Sequence, residues 1–357
     1  MNSPYPYGHG LYFPYINFKD INWLKQSALY FDRIVRIVPS RLNEAFVDRQ
    51  RAVIDEFNAG GEPFVENLAP NWDQVYRAGK RLIDLLPMLK TKQDRKGYFE
   101  RIRGTLPSGR VMPIHLEKVG SEVQERLLEY GLGYPGQFSR DRDWVIFDSA
   151  IGAIYMSILA SEIAQDYRLP LLSDDLCYPP LIGEIQYPKN GEDYGYRLAS
   201  LVIESVVPVD IAELSPKAIM QFKRDYADER KGFYEKVNEL VKDIGEVLEP
   251  TALDSILKDR QEKIMREVKN LERALYNKNI STGQALMTIS VPSYFQGPSG
   301  QLIGLGLFFM GAFTLVKGKG EAATIRGNSP YTYVLNLRDK LSGDNFLREL
   351  TRGQLLT

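Results

Sequence analysis

Four aspartates lie at positions where predicted strands end or helices begin. Asp174 and Asp175 close the apolar run of residues 169–173. Asp20 follows the first predicted strand, and Asp148 precedes the longest apolar helix. Ligands of open α/β sheets bind at the carboxyl ends of the strands. Because carboxylate oxygens suit Mg²⁺ and Mn²⁺, these residues are candidate catalytic groups of a metal-dependent reaction.

The sequence offers little material for other catalytic chemistry. It contains one cysteine, Cys177, and two histidines, His9 and His115. A single cysteine excludes an internal disulfide and any thiolate-rich zinc site, and it suits a reducing cytosol. The sequence has no nucleophile elbow, phosphate loop or zinc-protease motif. We expect His115, in an apolar segment, to be a hydrogen-bonded structural residue.

The charge balance limits the kinds of partner. The 357 residues include 45 Lys and Arg against 46 Asp and Glu, which gives a formal charge of -1. Binding to nucleic acid usually requires a basic surface that displaces counterions from phosphate. Net charge therefore gives no support to a nucleic-acid partner. A locally basic stretch at residues 90–114, with Tyr98 and Phe99, leaves such contacts open as an alternative.

The opening of the chain predicts a β-α-β unit. Residues 11–18 are aromatic and apolar, Asp20 can cap a helix over residues 21–31, and residues 33–38 are β-branched. This arrangement favours a sheet with the helix packed on one face. Residues 149–167 predict a long apolar helix that leads into the strand before Asp174. Together these segments predict a mixed, helix-rich α/β fold around a small sheet.

The sequence predicts a helix over residues 72–89 and an exposed loop or linker over residues 90–114. Asn71 is a suitable N-cap for a helix over residues 72–89. The apolar stripe of this helix comprises Trp72, Val75, Tyr76, Leu82, Ile83 and Leu86. Residues 90–114 are polar and basic and contain glycine and proline, so we expect an exposed loop or linker there.

Apolar residues recur every seven positions in the second half of the chain. Tyr226, Phe233 and Leu240 form one such column, after the helix start at Ser215 and Pro216. A second charged helix follows, and the pair predicts an antiparallel, coiled-coil-like arm. Arms of this kind usually serve contact. The three column residues are therefore the predicted interaction residues if the arm is free.

An apolar segment near the end of the chain raises the question of a membrane. Residues 302–316 are uncharged, but this run is shorter than the ~20 residues that a spanning helix needs. We expect a buried core segment or hairpin, and we keep a membrane-associating hairpin of residues 286–316 as an alternative. The first ten residues lack the basic region and apolar run of a signal peptide, so we expect a cytoplasmic protein.

Several blocks of sequence carry a family resemblance. The chain has Y-F-P-Y-I-x-F-K-D-x-x-W-L-K at residues 12–25 and F-D-R-I-V-R-I-V-P at residues 31–39. Further blocks are I-H-L-E-K-V, Y-M-S-I-L-A-S-E-I-A, L-L-S-D-D and S-P-Y-T-Y-V-L-N-L. Together they resemble a bacterial family of uncharacterised function whose members begin with a tyrosine-rich strand, D-x-x-W-L-K and R-I-V-P. The resemblance implies a gene context near anti-phage defence loci, and it supplies no catalytic residues.

Residues 158–175 carry a second resemblance. A helix followed by L-P-L-L-S-D-D is similar to the corresponding segment of PIN-type nucleases, which group carboxylates around Mg²⁺ or Mn²⁺. That resemblance implies catalytic roles for Asp20, Asp148, Asp174 and Asp175. The pattern departs at Ser157, where the PIN family has an aspartate. A missing ligand would weaken metal binding.

These patterns lead to one main prediction and two alternatives. We expect an α/β body over residues 1–212, a helical hairpin arm over residues 213–280, and an apolar C-terminal segment over residues 281–357 that returns to the body. The main prediction is a non-catalytic interaction or assembly component of bacterial anti-phage defence, without a cofactor and with a protein partner or self-association. The alternatives are the PIN-like nuclease and the membrane-associating effector.

Overall fold

The computed structural model describes residues 8–40, 50–102, 106–107, 109–135, 143–175, 198–199, 202, 209–242, 250–278, 287–289, 309–311 and 329–341. The chain divides into two compact units. Unit 1 comprises residues 1–196 and 216–221, and unit 2 comprises residues 197–215 and 222–357. The division into body, arm and C-terminal segment stays a prediction.

Helices dominate the described ranges. The α-helices are α1 (Ile21–Ala28), α2 (Arg51–Asn58), α3 (Trp72–Leu85), α4 (Lys92–Arg101), α5 (Ser121–Glu129), α6 (Ser149–Tyr167), α7 (Pro216–Asp225), α8 (Ala227–Val241), α9 (Pro250–Lys278) and α10 (Thr332–Leu341). The strands are β1 (His9–Tyr12), β2 (Arg33–Ile37), β3 (Val65–Leu68), β4 (Val111–His115), β5 (Gly133–Pro135), β6 (Trp144–Asp148), β7 (Leu171–Leu172), β8 (Met287–Ile289) and β9 (Phe309–Gly311).

A small parallel sheet organises the first half of unit 1. Its strand order is β3-β2-β1-β7, and every pair is parallel. The chain passes from β1 to β2 on one side, whereas β7 joins β1 on the other. The carboxyl ends of β1 and β7 therefore flank a topological switch point, where open α/β sheets place their ligands. The predicted mixed, helix-rich α/β fold is confirmed.

One side chain covers part of the outer edge of β3. The carboxamide of Asn58 accepts a hydrogen bond from Val65 N at 2.9 Å and donates one to Val65 O at 3.0 Å. The neighbouring Phe64 faces β2 instead: its backbone carbonyl accepts a hydrogen bond from Ile34 N at 2.7 Å. Asn58 therefore supplies the donor and the acceptor that another strand would offer to Val65.

The helix α6 forms the centre of unit 1. Its residues 150–164 are buried on every side, as expected for a helix surrounded by protein. It packs against α3 and against the antiparallel sheet β4-β6-β5. The bounds predicted for this helix, residues 149–167, are confirmed.

An ion-pair cluster joins α3 to α6. Glu162 is only 5% exposed, and its two carboxylate oxygens lie 2.8 Å from Arg77 Nε and 2.6 Å from Arg81 Nη1. Arg77 also contacts Asp166 at 2.8 Å. The hydrogen bond to Glu162, followed by that to Asp166, raises the pKa of Arg77. The two arginines thus satisfy a carboxylate that burial would otherwise penalise.

A short turn after β4 holds the end of β2. The amine of Lys118, which is 3% exposed, donates a hydrogen bond to Ile37 O at 2.9 Å. Burial lowers the pKa of Lys118 to about 7. Beside it, Glu117 Oε2 accepts from Ser40 N at 2.6 Å, and the hydroxyl of Tyr155 donates to the carbonyl of Lys118. These bonds fix the backbone immediately after β2.

The stretch predicted as an exposed loop contains regular structure, so that prediction is wrong. The helix α4 and the strand β4 lie within residues 90–114. Thr91 and Asp94 form a capping box: Asp94 N donates to Thr91 Oγ1 at 3.1 Å, and Thr91 N donates to Asp94 Oδ2 at 2.9 Å. This start signal satisfies the free N–H groups of the first turn.

The described part of unit 2 is mainly helical. The helix α10 packs against α8 and α9. The ring of Tyr333 in α10 lies 5.9 Å from Phe233 and 5.8 Å from Phe222. The strands β8 and β9 form a separate antiparallel pair.

The long first helix predicted for the arm is interrupted. Asp225 ends α7 and Ala227 begins α8, while Tyr226 between them has a non-helical backbone with φ of -120° and ψ of 33°. The ring of Tyr226 packs 4.6 Å from that of Phe222. The seven-residue repeat therefore crosses a break that apolar spacing alone does not reveal.

Candidate functional site

The carboxyl ends of β1 and β7 bring three of the four predicted aspartates to one edge. Tyr12 and Leu172 end these neighbouring strands and pair in register. Asp174 lies two positions beyond Leu172, and its Oδ2 accepts a hydrogen bond from Asp20 N at 2.8 Å. Asp20, Asp174 and Asp175 therefore lie together at the switch point.

Donors surround the carboxylate of Asp174. The hydroxyl of Tyr12 donates to Oδ1 at 2.8 Å, and the backbone N–H groups of Lys19 and Asp20 donate to Oδ2. Burial raises the pKa of Asp174, whereas these hydrogen bonds act in the opposite direction. Burial, followed by the charge of Asp174, raises the pKa of Tyr12, so the phenol remains a donor.

The carboxylate of Asp175 is held in a similar way. Its Oδ2 accepts from the Tyr15 hydroxyl at 2.9 Å and from Lys19 Nζ at 3.0 Å. The Lys19 side chain is 54% exposed, and such a solvated ion pair adds little stability. Together, Asp174 and Asp175 fasten the segment between β1 and α1 to the chain after β7.

The other two predicted aspartates cap helices. Asp20 caps α1, accepting from Asn22 N at 2.8 Å. Asp148 caps α6, accepting from Ala150 N at 3.1 Å, and it pairs with Arg95 at 3.3 Å. Because α6 has 19 residues at a rise of about 1.5 Å each, Asp148 lies roughly 28 Å along the helix from the end that leads to β7. The structure therefore does not bring Asp148 to the other three.

The cluster of Asp20, Asp174 and Asp175 at the switch point leaves few carboxylate oxygens available to a divalent ion. A cation bound by Asp174 and Asp175 would have to replace the hydroxyls of Tyr12 and Tyr15 and the Lys19 ammonium. Across the described ranges, no group of three or more His, Cys, Asp or Glu side chains is arranged to hold a metal ion. In the observed arrangement, the two carboxylates act as hydrogen-bond acceptors that position a loop.

The predicted interaction residues lie largely inside unit 2. Phe233 is 0% exposed and Leu240 is 7% exposed, and Phe233 packs against Tyr333 of α10. Tyr226 is partly buried beside Phe222. Two of the three side chains therefore face the unit's own core.

An exposed aromatic pair on α3 differs from the sequence prediction. Trp72 is 73% exposed and Tyr76 is 50% exposed, although both were predicted to belong to the buried stripe of this helix. Their rings stack with centroids 5.1 Å apart and an interplanar angle of 11°. Buried Leu82 lies about 120° around the helix from Tyr76, at about 100° per residue. Trp72 lies between them, about 80° from Leu82, so a helical wheel places the pair within the same apolar stripe. The exposure of the two rings at the start of α3 is therefore not predicted by helical spacing.

The remaining predicted residues have structural surroundings or lie outside the described ranges. His115 Nδ1 accepts from Glu117 N at 3.2 Å, and its ring meets Trp144 edge-on at 5.3 Å. Cys177 lies outside the described residues, as does most of the apolar segment 286–316. In the ranges that the structure describes, no helix combines the length and the apolar character needed to cross a membrane.

Comparison with known proteins finds no matching family model, no matching curated protein and no matching solved structure.

Proposed function

We propose that this chain is a non-catalytic component that binds a protein partner, and that the side chains of Trp72 and Tyr76 form its contact surface. The observation that carries the proposal is the exposure of this stacked pair, called here the α3 aromatic patch. The family resemblance at the start of the chain supports a role in a bacterial anti-phage assembly.

The aromatic patch has the composition of a binding hot spot. Tryptophan and tyrosine dominate the energetics of protein interfaces because they bury a large rigid surface with few rotatable bonds. The Trp72 side chain extends into solvent instead of packing in the core. A partner that covers both rings would remove this apolar surface from water.

The charges around the patch favour a protein over a nucleic acid. Asp73 follows Trp72, and Lys80 lies four positions after Tyr76 on the same face, followed four positions later by Asp84. All three charged residues are exposed. A polyanion would be repelled by the two carboxylates, whereas a protein surface of mixed charge can match both signs.

The experiment that tests this function first identifies the partner. A photo-crosslinking amino acid replaces Asp73, beside the intact patch, or Glu125, an exposed control position on α5. In the native host, we expect a crosslinked protein from position 73 and none from position 125. Identical products, or none from position 73, would contradict the proposal.

Affinity measurements with the purified partner then test the aromatic residues themselves. We expect Trp72→Ala to weaken binding about 30-fold or more, as for an interface hot spot. Leu128→Ala is the matched control, because Leu128 is another large apolar side chain that is exposed, by 51%, but it lies on α5. We expect this control to change affinity less than about 3-fold. Equal losses in both variants would show that the patch is not the contact.

A metal-dependent, PIN-like nuclease is the second candidate function. It is favoured by the parallel strand order and by the three aspartates at the carboxyl ends of β1 and β7. Nuclease assays on RNA and DNA with Mn²⁺ test it, comparing the wild type with Asp174→Asn/Asp175→Asn and with the surface control Asp73→Asn. Cleavage lost only in the double variant would establish the nuclease and refute a non-catalytic role.

A further inference from the structure

The exposed side of α3 carries charges as well as its two aromatic rings. At about 100° per residue, five side chains begin within an arc of about 100° on this helix. The exposed members are Trp72, Asp73, Tyr76 and Lys80, and Ile83 is partly buried. This set is called here the α3 face. The α3 aromatic patch is its exposed apolar part, and Asp73 and Lys80 are its two charges.

The two charges of the α3 face are available to a partner. Asp73 and Lys80 are seven residues apart, which is roughly 10 Å along the helix axis. Within the described ranges, neither side chain forms an ion pair. The arginines of this helix differ, because Arg77 and Arg81 both contact Glu162. The α3 face therefore presents an acid and a base that a partner can pair.

The start of α3 is fixed on unit 1 before any partner binds. Asn71 and Gln74 form a capping box at the first turn. The Gln74 amide also donates to Asp166 at 2.9 Å, and Arg77 contacts the same carboxylate at 2.8 Å. These bonds tie the first turns of α3 to the end of α6. A partner would therefore not have to order this helix on binding.

The charges of the α3 face are complementary to themselves in one orientation. When two copies of a helix pack antiparallel about a two-fold axis, residues equally far from the axis on opposite sides lie at the same level. With the axis between residues 76 and 77, Asp73 is level with Lys80 of the second copy, and the relation is reciprocal. The two residues are only about 20° apart around the helix, so they also meet on the same side. A parallel pair would instead bring Asp73 against Asp73.

The apolar side chains match about the same axis. Tyr76 lies at almost the same level as Tyr76 of the second copy. Trp72 lies within about 3 Å of the level of Ile83 of the second copy, and both are on the other side of the face from the charges. Acid therefore meets base, and aromatic surface meets apolar surface, around a single axis.

We propose that the partner of the α3 face is a second copy of this chain, packed antiparallel in a symmetric dimer. This inference rests on the proposed function, because it names the partner of the same surface. Two ion pairs between Asp73 and Lys80 lie beside a core of Trp72 and Tyr76 from both copies. The contact is isologous, so it closes on itself and does not extend into a filament. Because one pair of helices makes a small interface, we expect a dissociation constant on the order of 10 µM.

Sedimentation velocity of the full-length protein measures this association. We expect the weight-average sedimentation coefficient to rise with concentration between about 1 and 200 µM, as monomers convert to dimers. A sedimentation coefficient that stays at the monomer value over this range would overturn the proposal.

Exchanging the two charges tests the antiparallel geometry. Asp73→Lys and Lys80→Asp should each weaken self-association at least about 10-fold, because each variant places like charges opposite one another. An equimolar mixture of the two variants should recover dimers, since one chain then carries two bases and the other two acids. Glu125→Lys, an exposed charge reversal on α5, is the control and should change the dissociation constant less than about 2-fold. A mixture that stays monomeric would refute the pairing.

Photo-crosslinking from position 73 separates this inference from the proposed function. The substitution removes the two ion pairs but brings no like charges together, so the rings still associate. A product that contains two copies of this chain supports both proposals. A product with a different protein alone overturns the dimer and leaves the proposed function standing, whereas no product from position 73 contradicts both.

Discussion

The hydroxyl of Tyr12 donates a hydrogen bond of 2.8 Å to Asp174, although 162 positions separate the two residues in the sequence. The bond connects the last residue of β1 with the chain just after β7, across the switch point of the parallel sheet. Asp174, which the sequence suggested as a metal ligand, is therefore the hydrogen-bond acceptor for the buried phenol of Tyr12. The strength of this bond can be measured.

Tyr12→Phe should destabilise the fold without changing the shape of the core. We expect a loss of about 2 kcal/mol in the free energy of unfolding, because the variant leaves a partly buried carboxylate without one donor. The pKa of Asp174 should rise further, since the Tyr12 hydrogen bond lowers it. Urea denaturation measures the stability, and NMR titration follows the carboxyl group. Tyr76→Phe, at an exposed hydroxyl, is the control and should change stability by less than about 0.5 kcal/mol.

The buried Lys118 should make stability depend on pH. Burial lowers its folded-state pKa from 10.5 to about 7. Between these two values the unfolded chain carries a proton that the folded chain lacks, so stability rises with pH by up to ~1.4 kcal/mol per unit. Below about pH 7 both states are protonated, and this dependence ends. We expect Lys118→Met to remove the slope in unfolding measurements from pH 7 to 9.

The control for the lysine prediction is an exposed lysine on the same unit. Lys96→Met should retain the pH dependence of the wild type, because Lys96 is exposed. Parallel stability curves for the wild type and Lys118→Met would show that Lys118 keeps an ordinary pKa.

Glu162→Gln should be strongly destabilising. The variant leaves Arg77 and Arg81 without the buried carboxylate that both contact. We expect a loss of about 3 kcal/mol, typical of breaking one side of a buried ion pair. Glu129→Gln is the matched control, because the Glu129–Arg126 pair is exposed and should contribute less than about 1 kcal/mol. Equal losses by thermal or urea denaturation would show that burial of Glu162 adds nothing.

The sequence predicted those elements whose signals are local. The helix over residues 149–167 combines an apolar composition with an N-cap at Asp148, and both are readable from neighbouring residues. The strand β2 was recognisable as a β-branched run. The first strand was predicted over residues 11–18 but is His9–Tyr12, and β3 was not predicted. The position of Asp174 and Asp175 at a strand end followed from the apolar run that precedes them. Tyr12 and Tyr15 as their donors did not, because these contacts depend on how distant strands pair.

Each wrong prediction was based on a single feature of the sequence, such as residue type, spacing or charge. The length of α6 already implied that Asp148 and Asp174 lie far apart, yet the aspartates were grouped by residue type. Trp72 and Tyr76 were assigned to a buried stripe from helical spacing alone, but they lie at the start of α3, where both side chains are exposed. The helix α4 was missed because charge outweighed the cap formed by Thr91 and Asp94.

The contact between Asn58 and Val65 bears on how the protein behaves at high concentration. An edge strand with unsatisfied backbone groups is a template on which a second molecule can add its own strand. By occupying both groups of Val65, the carboxamide of Asn58 denies an incoming chain the first two bonds of such a ladder. A single asparagine thus helps to keep the parallel sheet from growing between molecules, which favours monomers over fibrous aggregates.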